Sequence, residues 1–204
     1  MTIEEIKKQT EGLGILMQPI ELFEITKNIH PPMNILIFGL GNDSLFWHET
    51  NEGGRTVFFE GKKKWFDDIK SKHPFLEAYK IKYNTKREEW RSIIDKPELL
   101  KFDMPPELEE ISWNLIIVDG PAGYEDGTPG RMKSIYMASN LIKDEGDIFV
   151  HDAHREVEDM YCNKYLSSEN LIAEVKGYST LRHYRLTRPT KSHHVSPHHQ
   201  GKYR

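Results

Sequence analysis

Met33-Asn-Ile-Leu-Ile-Phe38, followed at once by Gly39-Leu-Gly41-Asn-Asp-Ser44, is the stretch that decides how this chain folds. An apolar run this short reads as a strand buried on both faces. Ser44 to Glu49 can open a helix, so strand, glycine turn and helix follow in the order of a nucleotide loop. Glycines in such a bend let the backbone approach a ligand without a Cβ clash, and the amides can bind a carboxylate or a bridging water. Leu45 and Phe46 follow, so the turn falls short of the full Gly-x-Gly-x-x-Gly dinucleotide fingerprint. Taken alone, it is equally a tight turn of any α/β protein.

Downstream, the same alternation repeats. A second strand is predicted over Arg55–Glu60, a helix over Lys62–Lys72, a third strand over Glu77–Tyr83 and a helix over Lys86–Ile94. Trp113–Asp119 reads as a fourth strand, Gly120–Gly130 as a long turn-rich loop and Arg131–Lys143 as the next helix. A fifth strand over Asp147–Asp152 and a helix over Glu156–Leu166 precede two extended runs, Leu171–Val175 and Leu181–Leu186. The connection between those runs, Lys176–Thr180, is too short for a crossover helix, so they should pair antiparallel. The expected fold class is therefore α/β: a doubly wound, mainly parallel sheet ending in an antiparallel hairpin, the methyltransferase version of the Rossmann-like architecture.

Upstream lie two segments of helical spacing, Ile3–Leu13 and Ile20–Ile29, closed by Pro31-Pro32. The expected organisation is an N-terminal helical extension over residues 1–32, a main domain over 33–187, and a flexible His-rich tail over 188–204. That tail holds His193, His194, His198 and His199, two prolines and almost nothing to bury. Metal binding by these histidines is the sharper reading, and a plain solvated terminus the simpler one.

The rest of the composition excludes more than it selects. A net charge of -4 argues against a nucleic-acid or anionic-membrane partner. The single cysteine, Cys162, cannot form an intrachain disulfide, which fits a reducing compartment. No stretch reaches the roughly 18 apolar residues of a spanning helix, and the N-terminus has no signal-peptide core. The expectation is a cytoplasmic chain.

In open α/β sheets ligands bind beyond the carboxyl ends of the strands. Four polar groups fall at those ends here: the Gly39–Asp43 turn, Glu60, Asp119, and His151-Asp152. An acid ending the second strand can accept both hydroxyl protons of an adenosine ribose, and Gly41 and Glu60 stand close to the roughly 20 residues apart expected for that role. Asp119 sits at the mouth of a buried strand, where a charge needs partners. With Asp152 and either His151 or His154 it can supply ligands to a divalent cation, which would orient and acidify a substrate hydroxyl. Without a metal, Asp119, Asp152 or His154 can act as general base. Tyr124 can stack on a sugar face and Arg131 can pair with a carboxylate. Trp47, Trp65, Trp90 and Trp113 are expected in the core. The plainer alternative is that the acids cap turns and Tyr124 and Arg131 hold their own loop.

Five blocks in register resemble one family. They are Phe38-Gly-Leu-Gly-Asn-Asp-Ser-Leu-Phe-Trp47, Gly54-Arg-Thr-Val-Phe-Phe-Glu60, Asp119-Gly-Pro-Ala-Gly-Tyr124, Pro129-Gly-Arg-Met132, and Val150-His-Asp152 with Glu156-Val-Glu-Asp159. The family they resemble is the glucuronoxylan 4-O-methyltransferases of polysaccharide biosynthesis. The resemblance implies S-adenosylmethionine as methyl donor, a carbohydrate hydroxyl (of a uronic acid or another sugar) as acceptor, and support from divalent cations. It would place Gly39, Gly41 and Asp43 at the methionine end of the cofactor, Glu60 on the ribose, and Asp119 and Asp152 near the reacting hydroxyl. Ala153-His154-Arg155 stands where the plant pattern has an acid–arginine pair. A short, Lys-rich chain suggests a non-plant relative, in the Golgi lumen only if it is a fragment of an anchored protein. The competing expectations are a non-catalytic polysaccharide-assembly factor of the same fold and an NAD-dependent oxidoreductase.

Overall fold

The computed structural model describes residues 1–187. In chain order its first half runs α1 (Ile3–Thr10), α2 (Pro19–Thr26), β1 (Asn34–Phe38), α3 (Ser44–Thr50), β2 (Arg55–Glu60), α4 (Lys63–Lys72) and β3 (Glu77–Lys80). Three short helices follow, α5 (Trp90–Ile93), α6 (Pro97–Leu100) and α7 (Pro106–Glu109). The second half is β4 (Trp113–Val118), α8 (Met132–Leu141), β5 (Ile142–Val150), α9 (Glu156–Tyr165), β6 (Leu171–Lys176) and β7 (Thr180–Leu186).

Successive strand residues point to opposite faces, and β1 is apolar on both. Leu36 and Phe38 enter one core with Val57, Phe59, Ile116 and Val118, closed by helices that include α8 and α9. Ile35 and Ile37 enter a second core with Phe58, Leu115 and Ile117. That second core is closed by Ile6, Leu22 and Ile25 of α1 and α2 together with Phe46 and Trp47 of α3. The N-terminal helices, expected as an extension, thus share the main domain's core. A capping box at each start, Thr2 with Glu5 and Gln18 with Glu21, fixes where they begin.

The sheet order is β3-β2-β1-β4-β5-β7-β6. β1 pairs parallel with β2 and β4, β4 parallel with β5, and β7 antiparallel with both β5 and β6. The doubly wound sheet with its terminal hairpin is as expected, with β7 inserted between β5 and β6. This is the class I methyltransferase arrangement.

Several boundaries differ from the sequence expectation: α1 ends at Thr10, α2 at Thr26 and β5 at Val150, each short of the expected end. The third strand stops at Lys80, because it is the sheet edge and pairs only with β2. The helix predicted over Lys86–Ile94 is a 3₁₀ turn followed by the single turn α5. α8 ends at Leu141, because buried Ile142 pairs with Trp113 and opens β5 five residues early. The expected His-rich tail, 188–204, lies outside the described residues.

Candidate active site

The parallel ladder continues one residue past its strands and lines up the rim. Gly39 N donates to Phe59 O (2.8 Å), Asp119 N to Phe38 O (3.0 Å) and His151 N to Val118 O (3.0 Å). The Gly39 bend, Asp119 and His151 therefore stand side by side beyond β1, β4 and β5. Glu60 ends β2 on the same rim, and its Oε2 accepts from Leu40 N at 3.1 Å while its Oε1 accepts from Lys62 N at 2.6 Å. A cleft of about 530 Å³ opens here, lined by the Gly39–Asp43 bend, Glu60, Asp119, His151 and Asp152. That is the size range of a small-molecule site.

The bend depends on its glycines. Gly39 holds φ at +125°, a conformation L side chains rarely adopt, and its Cα lies where a Cβ on Gly120 would come to 3.0 Å. The ends of β1 and β4 can therefore approach closely enough to set Asp119 beside the bend. A Cβ on Gly41 would meet Asp43 Oδ1 at 2.9 Å. Asp43 is anchored by Trp47 Nε1, which donates to its Oδ2 at 2.8 Å. Burial, and then the neighbouring Asp119 carboxylate, raise the pKa of Asp43 to about 6.

Four side chains meet behind Asp119. His151 Nδ1 lies 2.8 Å from Asp119 Oδ1. Arg131 Nη2 donates to Asp119 Oδ1 at 3.2 Å and pairs with Asp152 Oδ2 at 2.8 Å. Its Nη1 donates to His151 O. Arg155 Nη2 reaches Asp152 Oδ2 at 2.9 Å. Burial alone would raise the Asp152 pKa, but Arg131, His151 and Arg155 hold it below the usual carboxylate range. Burial would lower the His151 pKa, but its hydrogen bond to Asp119 and the Glu21 carboxylate facing its other nitrogen offset this and lift it to about 9.

Asp119, His151 and Asp152 do come together as candidate metal ligands, with donor atoms within 4.8 Å of one another. The donor set nevertheless does not fit a divalent cation as arranged. The Arg131 guanidinium bridges the two aspartates and Arg155 takes Asp152 as well, so both carboxylates are already paired with cations.

The other expected site residues divide. Tyr124 lines the cleft mouth and is exposed. Arg131 also borders the cleft, but it is buried and its donors serve Asp119, Asp152 and the His151 carbonyl. His154, a candidate base, is exposed and lies outside the cleft lining, because the turn after β5 points it outward. Trp47, Trp90 and Trp113 are core as expected. Trp65 is not: it is 40% exposed and lines the cleft, since α4 buries only Ile69. The sequence reading missed four further contributors. Gly14–Met17, between α1 and α2, forms part of the cleft wall, and Gly14 O accepts from Asn42 Nδ2 at 3.2 Å. Lys62 and Arg155 also line it. Glu21 stands behind His151, at 3.6 Å from its Nε2. The positive φ of Gly12 and Gly14 marks the strap, and a Gly-x-Gly pair ahead of a Pro-initiated helix was its only signal.

Comparison with known proteins agrees with the fold. Among solved structures, a methyltransferase from Pyrococcus furiosus superposes with a TM-score of 0.54 at 12% identity, over 91% of this chain and 96% of that one. At that identity the likeness shows the fold. Glucuronoxylan 4-O-methyltransferase 1 of Arabidopsis thaliana is 38% identical over 174 residues, 75% of this chain and 61% of that protein. Glucuronoxylan 4-O-methyltransferase 3 of the same plant is 40% identical over 164 residues, 68% of this chain and 55% of its own length. The chain thus spans somewhat over half the length of these relatives. The family described as IRX15/IRX15L/GXM matches residues 20–98 and 95–184, nearly all of the described chain. The chain belongs to the IRX15/IRX15L/GXM family.

Proposed function

We propose that this chain is an S-adenosylmethionine-dependent O-methyltransferase whose acceptor is a carbohydrate hydroxyl, of a uronic acid or another sugar in a polysaccharide or glycan. One observation carries the reading. The Glu60 carboxylate is fastened to the glycine bend at one end of a cleft whose other end is Asp119 backed by His151 and Arg131. The names of the relatives supply the acceptor class.

The cofactor, when bound, supplies a methyl group already activated by its sulfonium charge. The protein must then align an acceptor oxygen and take its proton. Each Glu60 oxygen receives one backbone N–H and keeps a lone pair, so the pair can accept the two ribose hydroxyls. Asp43 faces the cationic methionine end. Asp119 stands at the inner end of the cleft with one oxygen fixed by His151 and Arg131, and acts as the base for the acceptor hydroxyl. Tyr124 offers a face for the sugar ring at the mouth. Alignment supplies most of the acceleration, several kcal/mol when the oxygen is held about 3–3.5 Å from the carbon.

Transfer of a labelled methyl group from S-adenosylmethionine to a panel of uronate-bearing and neutral glycans tests the proposal. Label should enter sugar, fail to do so in Asp119→Asn, and be unaffected by excess chelator. Firm binding of S-adenosylhomocysteine with no transfer to any glycan would favour the non-catalytic assembly factor. A chelated rate restored only by added Mg²⁺ or Mn²⁺ would return the metal to the mechanism.

A further inference from the structure

α2 sends two acids into the protein, and each meets a buried histidine. Glu21 has a fully buried side chain whose Oε2 accepts from Gln18 N at 2.8 Å, the bond that caps its own helix. Its Oε1 is buried without a hydrogen-bond partner among the described residues and lies 3.6 Å from His151 Nε2, which has none either. Glu24, one turn on, ion-pairs with Lys27 and lies 3.5 Å from Nδ1 of His183, whose Nε2 bonds Asp147 Oδ1. His183 is remote from the cleft lining.

A carboxylate with an orphaned buried oxygen is expensive unless a cation faces it. The group facing Glu21 is the His151 imidazole, with Nε2 3.6 Å away. The imidazole stands between Glu21 on the core side and Asp119 on the cleft side, with Arg131 and Asp152 flanking it. Asp119 Oδ1 receives both His151 and Arg131, while its Oδ2 accepts no hydrogen bond from the described residues. The orientation of the Asp119 carboxylate is therefore set by His151 and Arg131. Behind the imidazole stands Glu21, whose other oxygen is held by the helix cap.

From this we infer that Glu21, supplied by the N-terminal segment, is a positioning residue for methyl transfer: it holds His151 through Nε2 and thereby aims Asp119 at the acceptor. The inference rests on the proposed role of Asp119 as base. It gives α2 a part in turnover besides its part in the core. Glu21 touches neither cofactor nor acceptor, so its loss should fall on kcat and spare binding.

The test compares Glu21→Gln with Glu24→Gln, a matched buried acid on the same helix. The expected result is a kcat lower by about 10- to 100-fold in Glu21→Gln. The acceptor KM and the S-adenosylhomocysteine Kd should stay within about twofold. Glu24→Gln should melt earlier yet keep its kcat. In ¹⁵N-labelled protein, the Nε2 proton of His151 should be present in the wild type and its signal displaced in Glu21→Gln. Equal kcat in the two variants, or an unmoved His151 signal, would overturn the inference. Should the wild type transfer no methyl to any glycan, the functional proposal fails separately and the His151 spectrum alone decides this one. Should Glu21→Gln not fold, a wild-type His151 lacking a proton on Nε2 at neutral pH overturns it.

Discussion

Replacing Glu60 by glutamine changes two atoms and should disable cofactor binding more than folding. The carboxylate receives Leu40 N on one oxygen and Lys62 N on the other. An amide group has only one oxygen, so its NH₂ must face either a backbone N–H or a ribose hydroxyl that needs an acceptor. One charge-assisted hydrogen bond to the ribose is lost, worth about 1.5–3 kcal/mol, or roughly a ten- to hundredfold weaker Kd. One buried backbone amide is also orphaned, at about 1–3 kcal/mol, which in a domain of this size lowers Tm by roughly 2–10 °C. Isothermal calorimetry with S-adenosylhomocysteine reads the first effect without interference from turnover, and a thermal melt reads the second. A Glu60→Gln protein that melts earlier yet binds within about twofold of the wild type would show Glu60 to be a turn clamp and refute its ribose role.

Other perturbations follow from the same geometry. Burial and Asp119 raise Asp43 to about 6, so its charge is present above that pH and lost below it. Cofactor affinity should therefore weaken as the pH falls from about 7 to about 5, and Asp43→Asn should flatten the profile. An identical slope in both proteins would count against the contact. Arg131→Met strips the buried aspartates of their shared guanidinium, and should destabilise by about 3–5 kcal/mol in denaturant unfolding; a loss under about 1 kcal/mol would show that Arg155 and His151 suffice. His154→Ala, at an exposed position outside the cleft lining, should leave methyl transfer unchanged, and a large fall in kcat would restore His154 as a base.

The rim was legible because each of its residues ends a strand that composition alone defines. The apolar runs Ile35–Phe38, Thr56–Phe59 and Leu115–Val118 place Gly39, Glu60 and Asp119 without any knowledge of pairing. What stayed hidden depends on contacts between segments far apart in sequence. Arg131 reads as a residue that pairs with a carboxylate or holds its own loop, and only the fold brings it between Asp119 and Asp152. Glu21 carries no signal in the sequence, and the packing of α2 into the second core buries it completely. Trp65 reads as core because large apolar residues usually are, yet it opens a helix with a single buried position. The hairpin's existence followed from its short connection. Which of its strands joins β5 did not, since either order satisfies the same alternation of side chains.

On the proposed function, one rim of the sheet grips a sulfonium nucleoside, with its ribose on Glu60 and its sulfur toward Asp119. A crystal structure with S-adenosylhomocysteine bound measures this directly. Both ribose hydroxyls should lie within hydrogen-bonding distance of the Glu60 carboxylate, and the sulfur should lie between the Gly39–Gly41 bend and Asp119. A nucleoside bound elsewhere, or one turned so that its sulfur points away from Asp119, would contradict it.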